Sequence, residues 1–115
     1  MDLPASRLNA DVAVAPQLGP AAMAAAAAAG FRSVINNRPD FEGGPEQPTN
    51  AVIEAAARAA GLEYVFLPVA SAFQTPEQAQ AMADAIARLP KPVLAFCRSG
   101  ARSARLYQMA CALGG

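Results

Sequence analysis

The sequence contains no histidine, no tryptophan and only two cysteines among its 115 residues. The lack of histidine excludes Ser-His-Asp and Cys-His catalysis, imidazole zinc sites and histidine proton shuttles. The two cysteines, Cys97 and Cys111, are too few for a disulfide framework, so the cytoplasm is the expected compartment. Any chemistry must therefore use Cys, Asp, Glu, Arg, Ser or backbone amides.

Long apolar runs and a net charge are missing as well. The alanine-rich stretch at residues 21–29 is too short and too weakly apolar for a membrane span. The chain starts without a basic region, so no secretory signal is expected. Nine basic residues balance nine acidic ones, which argues against a nucleic-acid binder that neutralises phosphates over a broad surface. From residue 85 onward, however, five basic residues face no acid, which makes that region a candidate anion site.

Short apolar runs alternate with amphipathic stretches along the chain. This pattern predicts one α/β domain over residues 1–115, with a small, mostly parallel sheet flanked by helices. The last predicted strand is fully apolar and is expected to be central. The predicted strands cover residues 12–15, 32–36, 64–69 and 92–96. The predicted helices cover residues 20–30, about 50–60 and 75–89, and a last one is marked by apolar residues between 106 and 113.

The loops between strands and helices have a predictable location. In a parallel sheet, right-handed crossovers place every strand-to-helix loop at one edge, where ligands usually bind. Arg38, Asp40 and Glu42 are therefore expected near Cys97, despite the long separation in sequence. The three loops that leave predicted strands at this edge are residues 37–47, 70–74 and 97–101.

The segment from Cys97 to Ser103 lies between a predicted buried strand and a predicted amphipathic helix. A loop in that position can curl its backbone N–H groups around an anion, and the dipole of the following helix adds to the attraction. Gly100 permits the backbone angles of such a cradle, and the planar guanidinium of Arg102 closes it. The same donors stabilise a thiolate, so Cys97 is predicted to be a nucleophile at neutral pH without a histidine partner.

A structural interpretation competes with this one: Cys97 as a small buried residue ending a strand, and the arginines that follow it as a solvated helix start. The succession of strand, Cys, Gly, Arg, Ser and helix favours the functional loop. Cys111 lies on the order of 13 Å along the helix axis from Arg102, too far for a disulfide at the loop, and is predicted to be a packed helix residue. No set of Cys, Asp and Glu has metal-site spacing, and no cofactor is expected.

Three segments, residues 34–40, 63–69 and 97–103, resemble the phosphatase-like domain family of the beta-lactamase hydrolase-like proteins. The resemblance covers nearly the whole chain. It implies a fold similar to that of dual-specificity and tyrosine phosphatases, with a small anionic or phosphorylated substrate. It also implies Cys97 as the nucleophile, Arg102 as the anion clamp and Ser103 as the hydroxyl that assists the leaving thiolate. The remaining predicted anion-binding residues are Arg98, Ser99, Gly100, Ala101 and Arg38.

The predicted loop departs from that of dual-specificity phosphatases. Four residues rather than five separate Cys97 from Arg102, and Phe96 stands where such phosphatases usually have histidine. Activation of the thiolate would therefore rest on loop amides, the helix dipole and Arg102. The four-residue spacing also resembles rhodaneses, whose loops often read Cys-Arg-x-Gly-x-Arg and carry sulfur as a cysteine persulfide. The upstream rhodanese signature, an Asp-x-Arg strand followed by a Gly-His-Ile segment, is absent.

A general acid is also missing from its usual place. The loop at residues 70–74, where such phosphatases supply an aspartate, contains no carboxylate. The loss of a general acid typically lowers the catalytic rate by 10²–10⁴-fold. Asp40 or Glu42, from the neighbouring loop, is the predicted substitute, and the alternative for Asp40 is a turn residue. Arg38 is predicted to lie at the edge of the site, where it deepens the positive potential around Cys97.

Three functions are consistent with these residues. The first is a cysteine-dependent phosphatase-like hydrolase, in which Cys97 attacks phosphorus and Arg102 holds the anion. The second is a sulfurtransferase that carries a persulfide on Cys97. The third is a non-catalytic anion-binding or interaction module, which the missing acid and the missing histidine motivate.

Overall fold

The computed structural model of the chain describes residues 3–113 and confirms the predicted α/β class. Residues 1–2 and 114–115 lie outside the described residues. The two ends of the predicted domain are therefore not described, and neither is the start of the segment that was expected to lack a secretory signal. The elements are β1 (Ser6–Arg7), β2 (Val12–Ala15), α1 (Ala21–Ala28), β3 (Ser33–Asn36), α2 (Asn50–Ala59), β4 (Glu63–Phe66), α3 (Pro76–Arg88), β5 (Val93–Phe96) and α4 (Ala101–Leu113).

The strands form one sheet in the order β1-β2-β5-β3-β4. The apolar strand β5 is central as predicted, because it pairs in parallel with β2 on one side and with β3 on the other. Strand β1 is antiparallel to β2 and was not predicted. Its two exposed residues, Ser6 and Arg7, give neither the apolar run nor the alternation that marks a strand in sequence.

Helices pack on both faces of the sheet. Successive residues of β5 point to opposite faces, so Leu94 and Phe96 join the core with α1 and α2, whereas Ala95 joins the core with α3 and α4. Phe96 is fully buried in this way. The position before Cys97 therefore points into the apolar core beneath α1 and α2, where an aromatic ring packs and a charged imidazole would be desolvated.

The helix signals in the sequence correspond to observed caps. Thr75 Oγ accepts a hydrogen bond from Gln78 N at 3.1 Å, and Gln78 Oε1 accepts one from Thr75 N at 2.9 Å, which is the predicted capping box of α3. Cys111 lies on α4 as predicted, but the expected packing was wrong, because its side chain is exposed. Each helix within residues 3–113 is too short or too polar to span a bilayer.

Candidate active site

The ends of four strands define one edge of the sheet. Ala15, Phe96, Asn36 and Phe66 are cross-strand neighbours, so the segments that follow them leave the sheet side by side. Strand β4 is shorter than predicted, because regular pairing stops at Phe66. The segment after it stays attached to β3 through hydrogen bonds from Leu67 N and Val69 N to main-chain oxygens. The predicted gathering of the three loops at this edge is therefore observed.

Cys97 follows β5 directly and is 1% exposed. Gly100 N donates a hydrogen bond to Cys97 Sγ at 3.1 Å, so the chain curls back over the sulfur before α4 begins. Gly100 has φ +94°, and a Cβ atom there would lie 3.3 Å from the main chain of Ala15. Only glycine combines this backbone conformation with such a close approach to β2.

The thiol of Cys97 has a lowered pKa. Burial alone acts to raise it, because a thiolate is poorly solvated there. The backbone amides of Ser103, Gly100 and Ser99 oppose burial and together lower the pKa of Cys97. The loop therefore favours the thiolate through hydrogen bonds alone, in a chain that has no histidine.

Ser103 is held in place by Asn37, a buried residue that the sequence reasoning did not single out. Ser103 Oγ donates to Asn37 Oδ1 at 2.8 Å, and Asn37 Nδ2 donates to Leu67 O at 3.0 Å. The main chain of Asn37 also bonds on both sides, to Phe96 O at 2.8 Å and from Val69 N at 3.0 Å. Through its side chain and main chain together, Asn37 thus links the ends of three strands to α4. The available signal was an amide residue directly after an apolar strand, a position at which buried polar groups need partners.

Arg102 is 5% exposed and lies at the start of α4. Its Nη1 donates to Glu42 Oε2 and to Val69 O, both at 3.0 Å, and its Nη2 donates to Glu42 Oε1 at 3.0 Å. Its Nε, which is buried, has no partner among the described residues. A buried unpaired donor is costly, which makes this atom a candidate donor to an anion at the loop.

Glu42 joins a second arginine to the same site. Arg38 Nε donates to Glu42 Oε1 at 2.8 Å, and Arg38 Nη1 donates to Gln17 Oε1 at 3.0 Å. The hydrogen bonds from Arg102, together with those from Arg38, hold the pKa of Glu42 below its usual value against a smaller opposing effect of burial. Glu42 is therefore an ionised carboxylate at neutral pH, and it fixes the orientation of both guanidinium groups.

Asp40 lies on the same loop but contacts a different element. Its Oδ1 accepts a hydrogen bond from Asn50 N at 2.7 Å, at the first residue of α2. That amide has no partner within the helix, and a carboxylate also suits the positive end of the helix dipole. Of the two acids expected near Cys97, Glu42 is the one that contacts Arg102.

The remaining predicted anion-binding residues surround the opening of the loop. The side chains of Arg98 and Ser99 are exposed, Ala101 is exposed at the start of α4, and Gly100 is buried. Ala101 N donates to Ser99 Oγ at 3.3 Å. Arg98 and Arg102 line two adjoining cavities of about 400 and 520 Å³, so the open space beside the loop is bordered by two arginines.

We expect Glu42→Gln to lower the free energy of unfolding at neutral pH by about 1 to 2 kcal/mol, because two largely buried guanidinium groups lose their charged partner. Since the folded-state pKa of Glu42 lies below 4.5, this stabilisation is fully present above that pH and is lost as the pH falls through the lowered pKa. Urea unfolding of both proteins from neutral pH to about pH 2 measures the difference. It should be largest above pH 4.5 and vanish at the acid end.

Glu46→Gln is the matched control, because Glu46 lies on the same loop and forms no ion pair with the described residues. It should leave the stability nearly unchanged over the whole range. If the free energy of unfolding of Glu42→Gln were lower than that of the parent protein by the same amount at every pH, the result would contradict the role given to the Glu42 carboxylate.

Comparison with known proteins points to one family. The family described as beta-lactamase hydrolase-like protein, phosphatase-like domain, matches residues 5–114. A beta-lactamase hydrolase-like protein of Agrobacterium fabrum is 39% identical over 111 residues, which are 96% of this chain and 26% of that protein. One from Xylella fastidiosa is 45% identical over 86 residues, 75% of this chain and 20% of that protein. The chain therefore spans about a quarter or less of the length of these curated relatives.

Solved structures show the same fold. A candidate phosphatase from Neisseria meningitidis is 30% identical, with a TM-score of 0.85 over 95% of this chain and 77% of that one. Tk-PTP has a TM-score of 0.74 at 20% identity, over 96% of this chain and 71% of its own. P. aeruginosa TpbA, solved in complex with pTyr, has a TM-score of 0.62 at 12% identity, over 85% of this chain and 55% of its own. At the last two identities the likeness shows the fold alone, and it confirms the predicted similarity to tyrosine phosphatases.

Proposed function

The chain belongs to the phosphatase-like domain family of the beta-lactamase hydrolase-like proteins, and from that membership we propose that it is a cysteine-dependent phosphatase acting on a small phosphorylated substrate. The observation that carries the proposal is the environment of Cys97 Sγ, which is buried at the end of β5 and accepts a hydrogen bond from Gly100 N at 3.1 Å. Both cysteines are free, which supports the reducing cytoplasm as the compartment in which the enzyme works.

The proposed reaction has two steps. In the first, the Cys97 thiolate attacks phosphorus, an S–P bond forms, and the P–O bond breaks with its electron pair on the leaving oxygen. The amides of the loop and Nε of Arg102 donate to the nonbridging oxygens, where charge develops. In the second step, water attacks phosphorus and gives its proton to solvent, the S–P bond breaks, and orthophosphate leaves. The backbone amide of Ser103 stabilises the departing thiolate, as its effect on the pKa of Cys97 supports, while the hydroxyl of Ser103 donates to Asn37 Oδ1. The loop residues whose backbone amides are assigned to anion binding are Arg98, Ser99, Gly100 and Ala101.

Protonation of the leaving group determines which substrates suit the site. Glu42 is kept ionised by two arginines, and Asp40 accepts a hydrogen bond from Asn50 N. These contacts support positioning roles for both residues rather than the general-acid role expected from the sequence. We therefore assign the enzyme to phosphate esters of acidic alcohols and phenols, whose oxygen leaves without a proton from the protein.

Sulfur transfer is the second candidate, and the state of Arg102 favours it. Both Nη atoms of Arg102 contact Glu42, so only Nε and a short ring of amides remain for a ligand. Such a site suits a sulfane sulfur, and its chemistry requires no general acid. The thiolate of Cys97 attacks the outer sulfur of thiosulfate, the S–S bond breaks with its electron pair on sulfite, and a persulfide remains on Cys97.

Intact-protein mass spectrometry separates the two functions. We expect acid-quenched samples incubated with 4-nitrophenyl phosphate to contain a phosphoryl adduct on Cys97, and samples incubated with thiosulfate to lack a one-sulfur adduct. Cys111→Ser is the control that fixes the site of modification, since its adducts should match those of the parent protein. A one-sulfur adduct without a phosphoryl adduct or phosphate release would replace the phosphatase by the sulfurtransferase. Phosphate binding with no adduct and no turnover would instead identify a non-catalytic module.

A further inference from the structure

The two cavities at the Cys97 loop adjoin each other, and together they are called the depression here. They share three lining residues, Ser71, Arg98 and Arg102, and have volumes of about 400 and 520 Å³. Arg105 lines only the first, on the side away from Glu42. This space is in the range of pockets that hold whole small molecules, so it extends well beyond the oxygens that the loop amides can reach.

The arginines of this depression differ in whether a carboxylate compensates them. Arg38 and Arg102 form ion pairs with Glu42. Arg98 and Arg105 form no ion pair with any residue that the structure describes, and Arg105 contacts only the neutral amide of Gln74, with 3.3 Å between Nη1 and Oε1. Two exposed positive charges therefore remain next to the loop without a partner.

The position of these charges is unfavourable in the absence of a ligand. Arg102 and Arg105 lie three residues apart on α4, so they are neighbours on one face of the helix. Arg98 precedes that helix, whose first turn contains no acid. The N-terminal end of a helix dipole is itself positive, which makes cations near it destabilising. Glu42 compensates Arg102 but neither Arg98 nor Arg105. Two like charges without a carboxylate partner at one cavity point to function, and an anion bound between them would relieve the repulsion.

We propose that Arg98 and Arg105 form a second anion subsite beside the Cys97 loop, and that the substrate is a bisphosphate with one phosphate at the loop and the other at these arginines. The proposal rests on the phosphatase function, which it extends by naming the substrate class. Two guanidinium groups match the double negative charge of a phosphate, and each presents a planar fork of donors to its oxygens. Ser71, which lines both cavities, supplies a hydroxyl between the subsites.

The test compares two ligands that differ by one terminal phosphate, propyl phosphate and propanediol bisphosphate, titrated by calorimetry into the Cys97→Ser protein. We expect the bisphosphate to bind about five- to tenfold more tightly. Combining Cys97→Ser with Arg105→Gln should remove most of the preference for the bisphosphate over the monophosphate. Combining it with Arg98→Gln should have the same effect. Arg88→Gln is the matched control, because Arg88 is an exposed arginine at the end of α3, and it should leave the ratio unchanged.

Each outcome bears on the proposal. Equal affinities for the two ligands would overturn it, and so would a ratio that Arg88→Gln reduces as much as Arg105→Gln, because the effect would then come from net charge alone. Equal affinities together with turnover of an aryl phosphate by the parent protein would leave the phosphatase function intact. A ratio that depends on Arg105, without any turnover, would support the subsite and contradict the catalytic function. Failure of both ligands to bind would overturn the subsite and the proposed phosphate loop together.

Discussion

In the Cys97→Ser variant we expect turnover of 4-nitrophenyl phosphate to fall by at least roughly 10⁴-fold, because a serine hydroxyl ionises far less readily than a thiol and is a much weaker nucleophile in this loop. The cause lies in the loop, whose donors lower the pKa of Cys97 despite its burial. Those donors are mostly main-chain amides and remain in the variant. Phosphate binding should therefore change little, while kcat disappears, and steady-state kinetics with phosphate titration measure the two separately.

Cys111→Ser is the matched control for that loss. Cys111 is exposed on α4 and has no role in the proposed chemistry. The kcat and KM of the Cys111→Ser variant should therefore equal those of the parent protein. Activity in Cys97→Ser within about tenfold of the parent would contradict the nucleophile assignment. Loss of activity in both variants would indicate an effect of α4 packing rather than chemistry, and urea unfolding of each protein detects that case.

Arg102→Lys is expected to lower kcat/KM by roughly 10²- to 10³-fold, although the positive charge is kept. The guanidinium makes three contacts at 3.0 Å, with both carboxylate oxygens of Glu42 and with Val69 O. These contacts leave Nε as the donor for the ligand. A lysine ammonium is a single point on a flexible stem, so it cannot hold Glu42 with two parallel hydrogen bonds and also serve the anion.

The control for this substitution is Arg88→Lys, at an exposed site on α3, which should not change kcat/KM. A loss of activity in Arg102→Lys that is no larger than threefold would show that charge alone is enough at this position. Unfolding in urea should show a moderate decrease in the stability of Arg102→Lys, because Glu42 loses one bidentate partner but keeps Arg38.

Much of the fold is predictable from the sequence, because each central element carries its own signal. The run at residues 92–96 is apolar on both faces, as a strand covered by helices on both sides must be. The capping box at Thr75 gives the start of α3 within one residue. Strand β1 escapes prediction because two exposed polar residues gain their strand conformation only by pairing with β2. Its existence depends on a neighbour rather than on its own side chains.

The site is predictable only in part, for a related reason. The order of strand, cysteine, glycine, arginine and helix indicates the Cys97 loop locally. Parallel topology then predicts that the loop after β3 comes close to it. The sequence did not indicate which acid of that loop contacts Arg102. Asp40 and Glu42 are only two residues apart, and the backbone geometry of the loop directs them to different elements. The role of Asn37 likewise depends on partners in the segment after β4, on β5 and on α4, which no local pattern identifies.

The hydrogen bonds of Asn37 also have a consequence for the order in which the molecule folds. Asn37 and Ser103 are 66 residues apart, and Glu42 and Arg102 are 60 apart. Contacts of such high contact order form late, because a long loop must close before they contribute any stability. The thiolate environment cannot exist in a partly folded chain that lacks either β3 or α4. We therefore expect the thiol of Cys97 to keep an ordinary pKa in a partly folded chain until α4 has docked onto the sheet.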